Sequence, residues 1–387
     1  MQKYTYLKMK LTKKYAILFF ILIAMIKITF HASLANIEVG GWNDSDYYHA
    51  YALHKTNFYT SIWPSILRFL ADAGLYNRQG LSYVLLFIAL LPLPLLYSKV
   101  CTNLQSSSSF GYNFDAFVAF SIVALYPTIY YYTFDIYRDI VIYFTFCICI
   151  LAAQMVLNNK YRLTSFAVFA LCCFFAYKLR PYFGFSLATA FVLSFAIQRI
   201  KLGIFSLFVL FFVALFLLHT FGLTNSLISY RKSVFTAPAG SNFGIVLDNE
   251  NSFKFLFLFC YSFALNVFGF SFPNWKAVFA FIVESIPFLI AFVYTIKNYN
   301  KTDQFCKFLI SFFIIYCTIW CIGNDNLGTA LRLRVPAYLA IFASFIIIRR
   351  KNIVSQKDNA SLGSPLLSSA QKNILSLYKV NTLCRLV

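Results

Sequence analysis

The chain has 387 residues, of which 60% are hydrophobic, 20% aromatic and only 12% charged, and its mean hydropathy is +0.70. No soluble globular domain has this mixture, so the sequence predicts a polytopic membrane protein. The formal charge of +20 would suggest nucleic-acid binding in a soluble protein, but here the lysines cluster at the ends of apolar segments, where they set membrane orientation. We therefore expect no nucleic-acid partner.

The amino-terminal region begins with a lysine-rich stretch, Lys3 to Lys14, followed by an apolar run from Tyr15 to about Phe30. Ser33-Leu34-Ala35 has the small residues of a signal-peptide cleavage site. We expect instead an uncleaved first helix, because the residues that follow lead into a loop that needs a tether.

Ten apolar runs have the length of a membrane-spanning helix, about 17 to 25 residues. They are 15–32, 81–98, 114–133, 139–157, 164–179, 182–198, 202–220, 277–296, 308–323 and 335–348. The sequence therefore predicts an all-α integral membrane protein with about ten transmembrane helices. We expect one membrane domain, residues 1–348, and a polar cytoplasmic tail, residues 349–387.

A further apolar run, 253–272, lies within a long outer loop, 220–276. If this run crossed the membrane, the lysine-rich turn 297–307 and the basic residues 349–351 would lie opposite the amino-terminal lysines, against the positive-inside rule. A proline and an interfacial tryptophan follow the run, which suits a segment at the surface. We therefore predict a re-entrant or interfacial segment, with both chain ends in the cytoplasm.

This topology gathers acids and cations on the outer side, opposite the lysines. The first outer loop, 33–80, contains Asp44 and Asp46 among aromatic residues, an arrangement that suits a general base or the recognition of sugar hydroxyls. The alternative is that Asp44 caps a short helix that begins at Ser45.

A second polar group lies between two predicted spans. Helical spacing would place Asp135 on the same face as Arg138 and Asp139. These residues form either a local ion pair that closes the hairpin or an arginine oriented toward a phosphate.

Two segments share one form, in which two cations one residue apart precede a proline that opens a membrane helix. They are Lys178-Leu179-Arg180-Pro181 and Arg332-Leu333-Arg334-Val335-Pro336. Their cations are either snorkelling anchors or bidentate contacts to a lipid-linked pyrophosphate. Arg231 and Lys232 extend the same outer basic field. Within a span, Glu284 should face protein, with Lys27 as a candidate partner.

Several kinds of site are not indicated. The sequence has no phosphate-cradling glycine-lysine motif and no nucleophilic serine elbow. Its histidines are too scattered for a zinc site, and its ten cysteines lie mostly inside apolar runs, so we expect no cofactor and no disulfide framework.

With about ten helices, one long outer loop, outer arginines and a very high phenylalanine, isoleucine and tyrosine content, the chain resembles the bacterial O-antigen polymerases of the Wzy type. The resemblance implies transfer of a growing glycan from one undecaprenyl pyrophosphate to the next lipid-linked repeat unit at the bacterial inner membrane. It implies that Arg180, Arg231, Arg332 and Arg334 handle the anionic carrier. Its implied partners are the lipid-linked oligosaccharide, membrane lipid, a flippase and a chain-length regulator.

A second, local resemblance is to the GT-C class of membrane glycosyltransferases, through Asp44-Ser45-Asp46-Tyr47-Tyr48 and the segment from Arg332 to Pro336. It implies transfer of a single sugar from a polyprenyl phosphate, with an acid of the first outer loop as base or metal-associated group. A divalent metal is expected only in this case. The departure is a polar tail where many members carry a soluble carboxy-terminal domain.

The leading hypothesis is therefore a polymerase of lipid-linked oligosaccharide repeats, in which Asp44 or Asp46 deprotonates the acceptor hydroxyl and outer arginines stabilise the leaving pyrophosphate. The single-sugar transferase is the alternative hypothesis. A third hypothesis is a flippase for the lipid-linked glycan, which would need charges along a path to the membrane midplane. The candidate site comprises Asp44, Asp46 and Arg138 as catalytic residues and Asp135, Asp139, Lys178, Arg180, Arg231, Arg332 and Arg334 as residues that bind pyrophosphate or glycan.

Overall fold

The computed structural model describes residues 13–34, 44–57, 59, 61–102, 109–158, 162–200, 203–235, 241–248, 250–353 and 355. In these ranges the chain is helical and contains no strand, with one isolated bridge between Asn242 and Asn326. The all-α class predicted from the sequence is confirmed. The first lysines, the candidate cleavage site at Ala35 and the predicted polar tail beyond residue 355 lie outside the described residues.

The helices follow in chain order and are numbered as they occur. They are α1 (Lys13–Leu34), α2 (Asp44–Ala52), α3 (Ile62–Asp72), α4 (Arg78–Leu90), α5 (Pro92–Thr102), α6 (Ser109–Ala124), α7 (Pro127–Tyr131), α8 (Asp139–Leu157), α9 (Arg162–Leu179), α10 (Pro181–Ile200), α11 (Ile204–Thr220), α12 (Asn225–Val234), α13 (Ser252–Phe263), α14 (Trp275–Ala280), α15 (Ile286–Lys297), α16 (Gln304–Gly323) and α17 (Leu327–Ile353). Two π-helical turns extend them: Ala264–Phe268 follows α13, and Phe281–Ser285 joins α14 to α15.

Within the described part of the chain, 6 helices are long and apolar enough to cross a membrane. They are Arg78–Thr102, Asp139–Leu157, Pro181–Ile200, Trp275–Lys297, Gln304–Gly323 and Leu327–Ile353. The number becomes 7 if α11 and α12, which are bent by 77° at their junction, form one span. The apolar parts of α1, α6, α9 and α13 are shorter, so the predicted ten crossings are not confirmed.

Contacts between distant segments define two ends of the helix bundle. At one end, Arg349 near the end of α17 pairs with Asp115 of α6 at 2.6 Å, and Lys351 pairs with Asp303 before α16 at 2.7 Å. We call this the basic end. The opposite end, called the site end, contains the first residues of α2, α4, α8, α10 and α17. The turn before α16 and the carboxyl end of α17 therefore lie at the same end as the start of α6.

The apolar run 253–272 does not connect the two ends. The π-helical turn after α13 ends beside the middle of two long helices, where the Phe268 ring lies 6.3 Å from Phe288 and the Tyr338 hydroxyl donates to the carbonyl of Val267 at 2.6 Å. The chain reverses at the next residue, Gly269, whose φ is +75°.

Residues 270–274 then run back beside α14, where the rings of Phe272 and Phe281 lie 5.0 Å apart. The amino-terminal part of α13 packs at the site end, where His219 at the end of α11 contacts Ser252 at 2.9 Å. The segment therefore enters the bundle from the site end and returns to it.

Glu284 faces the bundle interior, but its partner is not Lys27, so that expected pairing is wrong. The Glu284 carboxylate lies 3.4 Å from Arg334 and accepts hydrogen bonds from the backbone N–H and the hydroxyl of Thr128 at 2.9 and 2.6 Å. Lys27 instead donates to the carbonyl of Ala124 at 2.5 Å. Lys27 of α1 also lies over the ring of Tyr130, whereas Glu284 is held by Thr128 and Arg334.

Gly269 is the glycine whose replacement this arrangement tolerates least. A Cβ there would lie 2.7 Å from both Arg334 Nη1 and Ser285 Oγ. The backbone of Gly269 is left-handed, with φ +75°, and that of Gly74 is similar, with φ +70°. We expect Gly269→Ala to lower the unfolding free energy by about 3 kcal/mol, from the left-handed backbone and the steric overlap together. Gly74→Ala, which meets nothing within 4 Å, should cost only about 1 kcal/mol. Denaturant unfolding in detergent measures both, and equal losses would contradict the close approach.

Candidate functional site

Five of the residues singled out from the sequence meet at the site end of the bundle. We call them the arginine cluster, and they are Asp44, Arg138, Asp139, Arg180 and Arg332. They come from the start of α2, the start of α8, the break between α9 and α10, and the first turns of α17. Each stands where a helix begins or ends, so its side chain can reach across the mouth of the bundle.

The pair between Asp44 and Arg332 is the accessible part of the cluster. Arg332 Nη1 lies 2.5 Å from Asp44 Oδ2, and the two side chains are 19% and 39% exposed. Burial alone would raise the pKa of the Asp44 carboxyl, but the attraction and hydrogen bond of Arg332, helped by Arg138 and Arg180, outweigh it and hold that pKa below its ordinary value. Asp44 is therefore ionised at neutral pH and is a weak base while it is paired.

The pair between Asp139 and Arg180 is buried. Their side chains are 1% and 5% exposed, and Arg180 Nη2 lies 3.3 Å from Asp139 Oδ1. Arg180 stands at the break between α9 and α10 because Pro181, which lacks an N–H, opens α10. Truncation of either partner would leave an uncompensated charge in the bundle, so this pair holds the site end together.

Arg138 adds a positive charge to the cluster, and none of the described carboxylates forms an ion pair with it. It caps α8, and its Nη1 donates to the carbonyl of Leu179 at 3.2 Å. Its Nε is buried without a hydrogen-bond partner, and no carboxylate of the described residues pairs with it. With three guanidinium groups and two carboxylates, the cluster has an excess of one positive charge.

Tyrosines enclose the cluster. Tyr48 of α2 is buried, and burial raises the pKa of its hydroxyl to about 12, so that it remains a neutral hydrogen-bond donor. The rings of Tyr182 and Tyr316 stack at 6.0 Å, and the Arg180 guanidinium lies over the Tyr182 ring at 5.9 Å. Tyr143 donates its hydroxyl to the carbonyl of Arg332 at 2.9 Å. Such apolar walls strengthen electrostatic interactions within the cluster by excluding water.

A second ion-pair group lies beside the cluster and was not anticipated from the sequence. Arg78, the first residue of α4, donates to Asp46 at 2.7 Å and to both carboxylate oxygens of Asp135 at 2.5 and 2.8 Å. The signal that could have identified Arg78 is a cation at the outer end of a predicted span, as at Arg180.

The expectation that Asp135 shares a helical face with Arg138 and Asp139 is wrong, because residues 132–138 form turns between α7 and α8. Burial would raise the pKa of Asp135, but the hydrogen bonds from Arg78 and from the backbone N–H of Ile136 hold it below its ordinary value. Asp135 therefore fastens the α7–α8 turn to α4.

Arg231 lies apart from the cluster, where both of its Nη atoms have partners. It pairs with Asp325, which precedes α17, and donates to Ser262 Oγ and the carbonyl of Cys321 at 3.0 Å each. Asp325 also accepts the backbone N–H of Gly244 at 3.0 Å. This network fastens the loop before α13 to the end of α16, and Asp325 was missed because its partner is remote in sequence.

The two remaining candidates also lie outside the cluster. Arg334 is buried in the bundle beside Glu284, and Lys178 is exposed at the end of α9, with its ammonium 5.4 Å from the Phe174 ring centroid. The sequence therefore identified five residues that converge, while Asp46, Asp135, Lys178, Arg231 and Arg334 occupy other contacts.

The two acids of the first outer loop are engaged by different cations, since Asp44 binds Arg332 and Asp46 binds Arg78. Over the described ranges, no three His, Cys, Asp or Glu side chains are grouped so that they could hold a metal ion.

Comparisons with protein-family models, with curated proteins and with solved structures give no match.

The different burial of the two ion pairs predicts different contributions to stability. Asp139→Asn leaves Arg180 buried without a counter-charge and should lower the unfolding free energy by about 3–5 kcal/mol. Asp44→Asn breaks a partly exposed pair and should cost about 1 kcal/mol or less. Unfolding of both variants in the same detergent tests this order. A larger loss for Asp44→Asn would contradict the assignment of Asp139 to a structural role.

Proposed function

We propose that the protein is a polysaccharide polymerase of the Wzy type, which transfers a glycan from one polyprenyl-pyrophosphate carrier to the next lipid-linked repeat unit. The observation that supports this proposal is the excess positive charge of the arginine cluster beside a reachable carboxylate, Asp44. A leaving pyrophosphate needs cationic hydrogen-bond donors, and an attacking hydroxyl needs a proton acceptor nearby.

The roles follow from the burial and pairing of each side chain. Arg332 holds the pyrophosphate because its pair with Asp44 is partly exposed, and Arg138 assists because no carboxylate of the described residues pairs with it. The acceptor hydroxyl oxygen attacks the anomeric carbon, the bond from that carbon to the pyrophosphate oxygen breaks with its electron pair, and the hydroxyl proton goes to Asp44. Arg180 and Asp139 act as positioning residues, since both are buried and paired with each other.

In a bacterial inner membrane, the proposed topology has ten crossings, with both chain ends in the cytoplasm and the site end in the periplasm. The return of the α13 segment to the site end supports this count, because it leaves Lys297 and Lys351 at the basic end. Lysines concentrated at one end mark the cytoplasmic side. We infer as partners a flippase that supplies the lipid-linked repeat and a regulator of chain length.

A second candidate function is a flippase for the same lipid-linked glycan. The observation that favours it is the interior pair of Glu284 and Arg334, which lies beside the reversal at Gly269 and provides charge in the middle of the bundle. A deletion strain that accumulates repeat units on the inner leaflet would support the flippase. The single-sugar transferase would instead be supported by loss of one branch sugar with intact chain length.

The polymerase proposal predicts the phenotype of Arg332→Ala and Arg138→Ala. Each substitution removes a donor to the leaving pyrophosphate and should reduce transfer by about 100-fold or more. Cells should then carry lipopolysaccharide with a single repeat unit at unchanged protein level, which gel electrophoresis of the lipopolysaccharide detects. Lys178→Ala is the matched control, because this outer cation is exposed and lies outside the cluster. A normal ladder of long chains in both arginine variants would contradict the proposal.

The proposed topology predicts opposite labelling of two single cysteines. Lys276 lies at the start of α14 and Asn298 directly after α15, so cysteines there flank one span. In a cysteine-free background, an impermeant maleimide should label Lys276→Cys in intact spheroplasts and Asn298→Cys only after the membrane is opened. Labelling of both from the same side would refute the crossing by α14 and α15.

A further inference from the structure

We propose that Arg332 and Arg138 form a binding site for a diphosphate group, and that Asp44 occupies the ligand's place on Arg332 until the diphosphate displaces it. The proposal rests on the proposed function for the source of the diphosphate, the polyprenyl carrier. The displacement of Asp44 itself can be tested without the carrier, by adding inorganic pyrophosphate to the protein.

Asp44 binds Arg332 through a single guanidinium nitrogen. Arg332 Nη1 donates to Asp44 Oδ2. A carboxylate that matched this arginine fully would engage two nitrogens in parallel, which is the strong form of the interaction. A phosphate group presents the additional oxygens that such a second contact requires. Asp44 is therefore a partial substitute for an anion with more acceptor atoms.

Arg138 supplies the second half of the site. Its Nη1 donates to the carbonyl of Leu179, the residue before Arg180, and its attraction reaches Asp44, although the described residues show no ion pair between the two. A single carboxylate balances the charge of only one guanidinium group. A diphosphate has two phosphate groups and more than one negative charge, so it can bind both arginines and balance the positive excess of the cluster.

The other paired arginines at the site end are each held by a buried acid: Arg180 by Asp139, Arg231 by Asp325, and Arg78, through two nitrogens, by Asp135. Arg180 and Asp139 are almost completely buried, so displacement of Asp139 would leave its charge stranded. Arg231 is buried with Asp325. At Arg332 both partners are partly exposed, so a released Asp44 carboxylate would enter water at little cost.

Displacement would link the arrival of the carrier to the chemistry. While Asp44 is bound to Arg332, its carboxylate is neither free to move nor strongly basic. When diphosphate takes its place, Asp44 and the start of α2 are released, and the carboxylate can approach the acceptor hydroxyl. The proton acceptor would therefore become available only when the leaving group is in position, which protects the carrier-linked glycan from premature attack.

The test is calorimetric titration of inorganic pyrophosphate into the full-length protein in phosphatidylcholine nanodiscs. Wild type should bind, Arg332→Gln should lose binding, and Asp44→Asn should bind about fivefold more tightly because the competing carboxylate is gone. Asp46→Asn is the matched control, since this neighbouring acid of α2 pairs with Arg78, and its affinity should equal that of wild type. Equal or weaker binding by Asp44→Asn, or equal tightening by Asp46→Asn, would overturn the proposal.

Hydrogen–deuterium exchange of α2 supplies a second readout that does not depend on Arg332→Gln being folded. Pyrophosphate should increase exchange over residues 44–52 in wild type, and Asp44→Asn should show the higher exchange without ligand. Phosphatidylglycerol could offer the same phosphate chemistry, so nanodiscs that contain it form a separate arm. If that lipid alone produced the full increase in exchange, the assignment to a diphosphate would be wrong.

A reconstituted glycan-transfer assay separates this proposal from the proposed function. Displacement of Asp44 without glycan transfer would refute the proposed function and leave the exchange site intact. Transfer without displacement of Asp44 would refute only the exchange.

Discussion

Charged groups buried at the site end need partners, and these partners come from remote parts of the chain. Asp139 and Arg180 are 41 residues apart, and Arg231 and Asp325 are 94 apart. Breaking a buried pair costs several kcal/mol, although an apolar pair in the same place would often be as stable. The pairs therefore define which helix ends meet, and the order of packing at the mouth of the bundle depends on them.

The start of α17 shows how helical geometry divides one sequence motif between two environments. Residues two apart on a helix point in nearly opposite directions, so Arg332 and Arg334 cannot serve one site. Arg332 faces Asp44 at the mouth, while Arg334 faces Glu284 and the reversal at Gly269 inside the bundle. In the segment Lys178-Leu179-Arg180-Pro181 the two cations are also separated, but for a different reason. Helix α9 ends at Leu179 and leaves Lys178 exposed, whereas Arg180 is buried at the break before α10.

The sequence predicts those features of the fold and of the site that depend on neighbouring residues, and it does not predict contacts between remote segments. Hydropathy identified the helices and the unusual run 253–272, and the positive-inside rule gathered Asp44, Arg138, Arg180 and Arg332 at one end before any contact was known. Pairing partners carry no local signal, which is why Arg78 and Asp325 were missed. Asp135 was misplaced because helical spacing was assumed where the chain forms turns.

The basic end carries both lysine and arginine, whereas the three cations of the arginine cluster at the site end are all arginines. A topology signal needs only positive charge, and Lys99, Lys297, Lys307 and Arg349 at the basic end provide it. The cluster at the site end consists of arginines, whose planar fork can hold a carboxylate or a phosphate through two parallel hydrogen bonds. A lysine in place of Arg332 would preserve the charge but lose that geometry. Anchoring in the membrane requires only a positive charge, which lysine also has. Two parallel hydrogen bonds to an anionic group require the guanidinium of arginine.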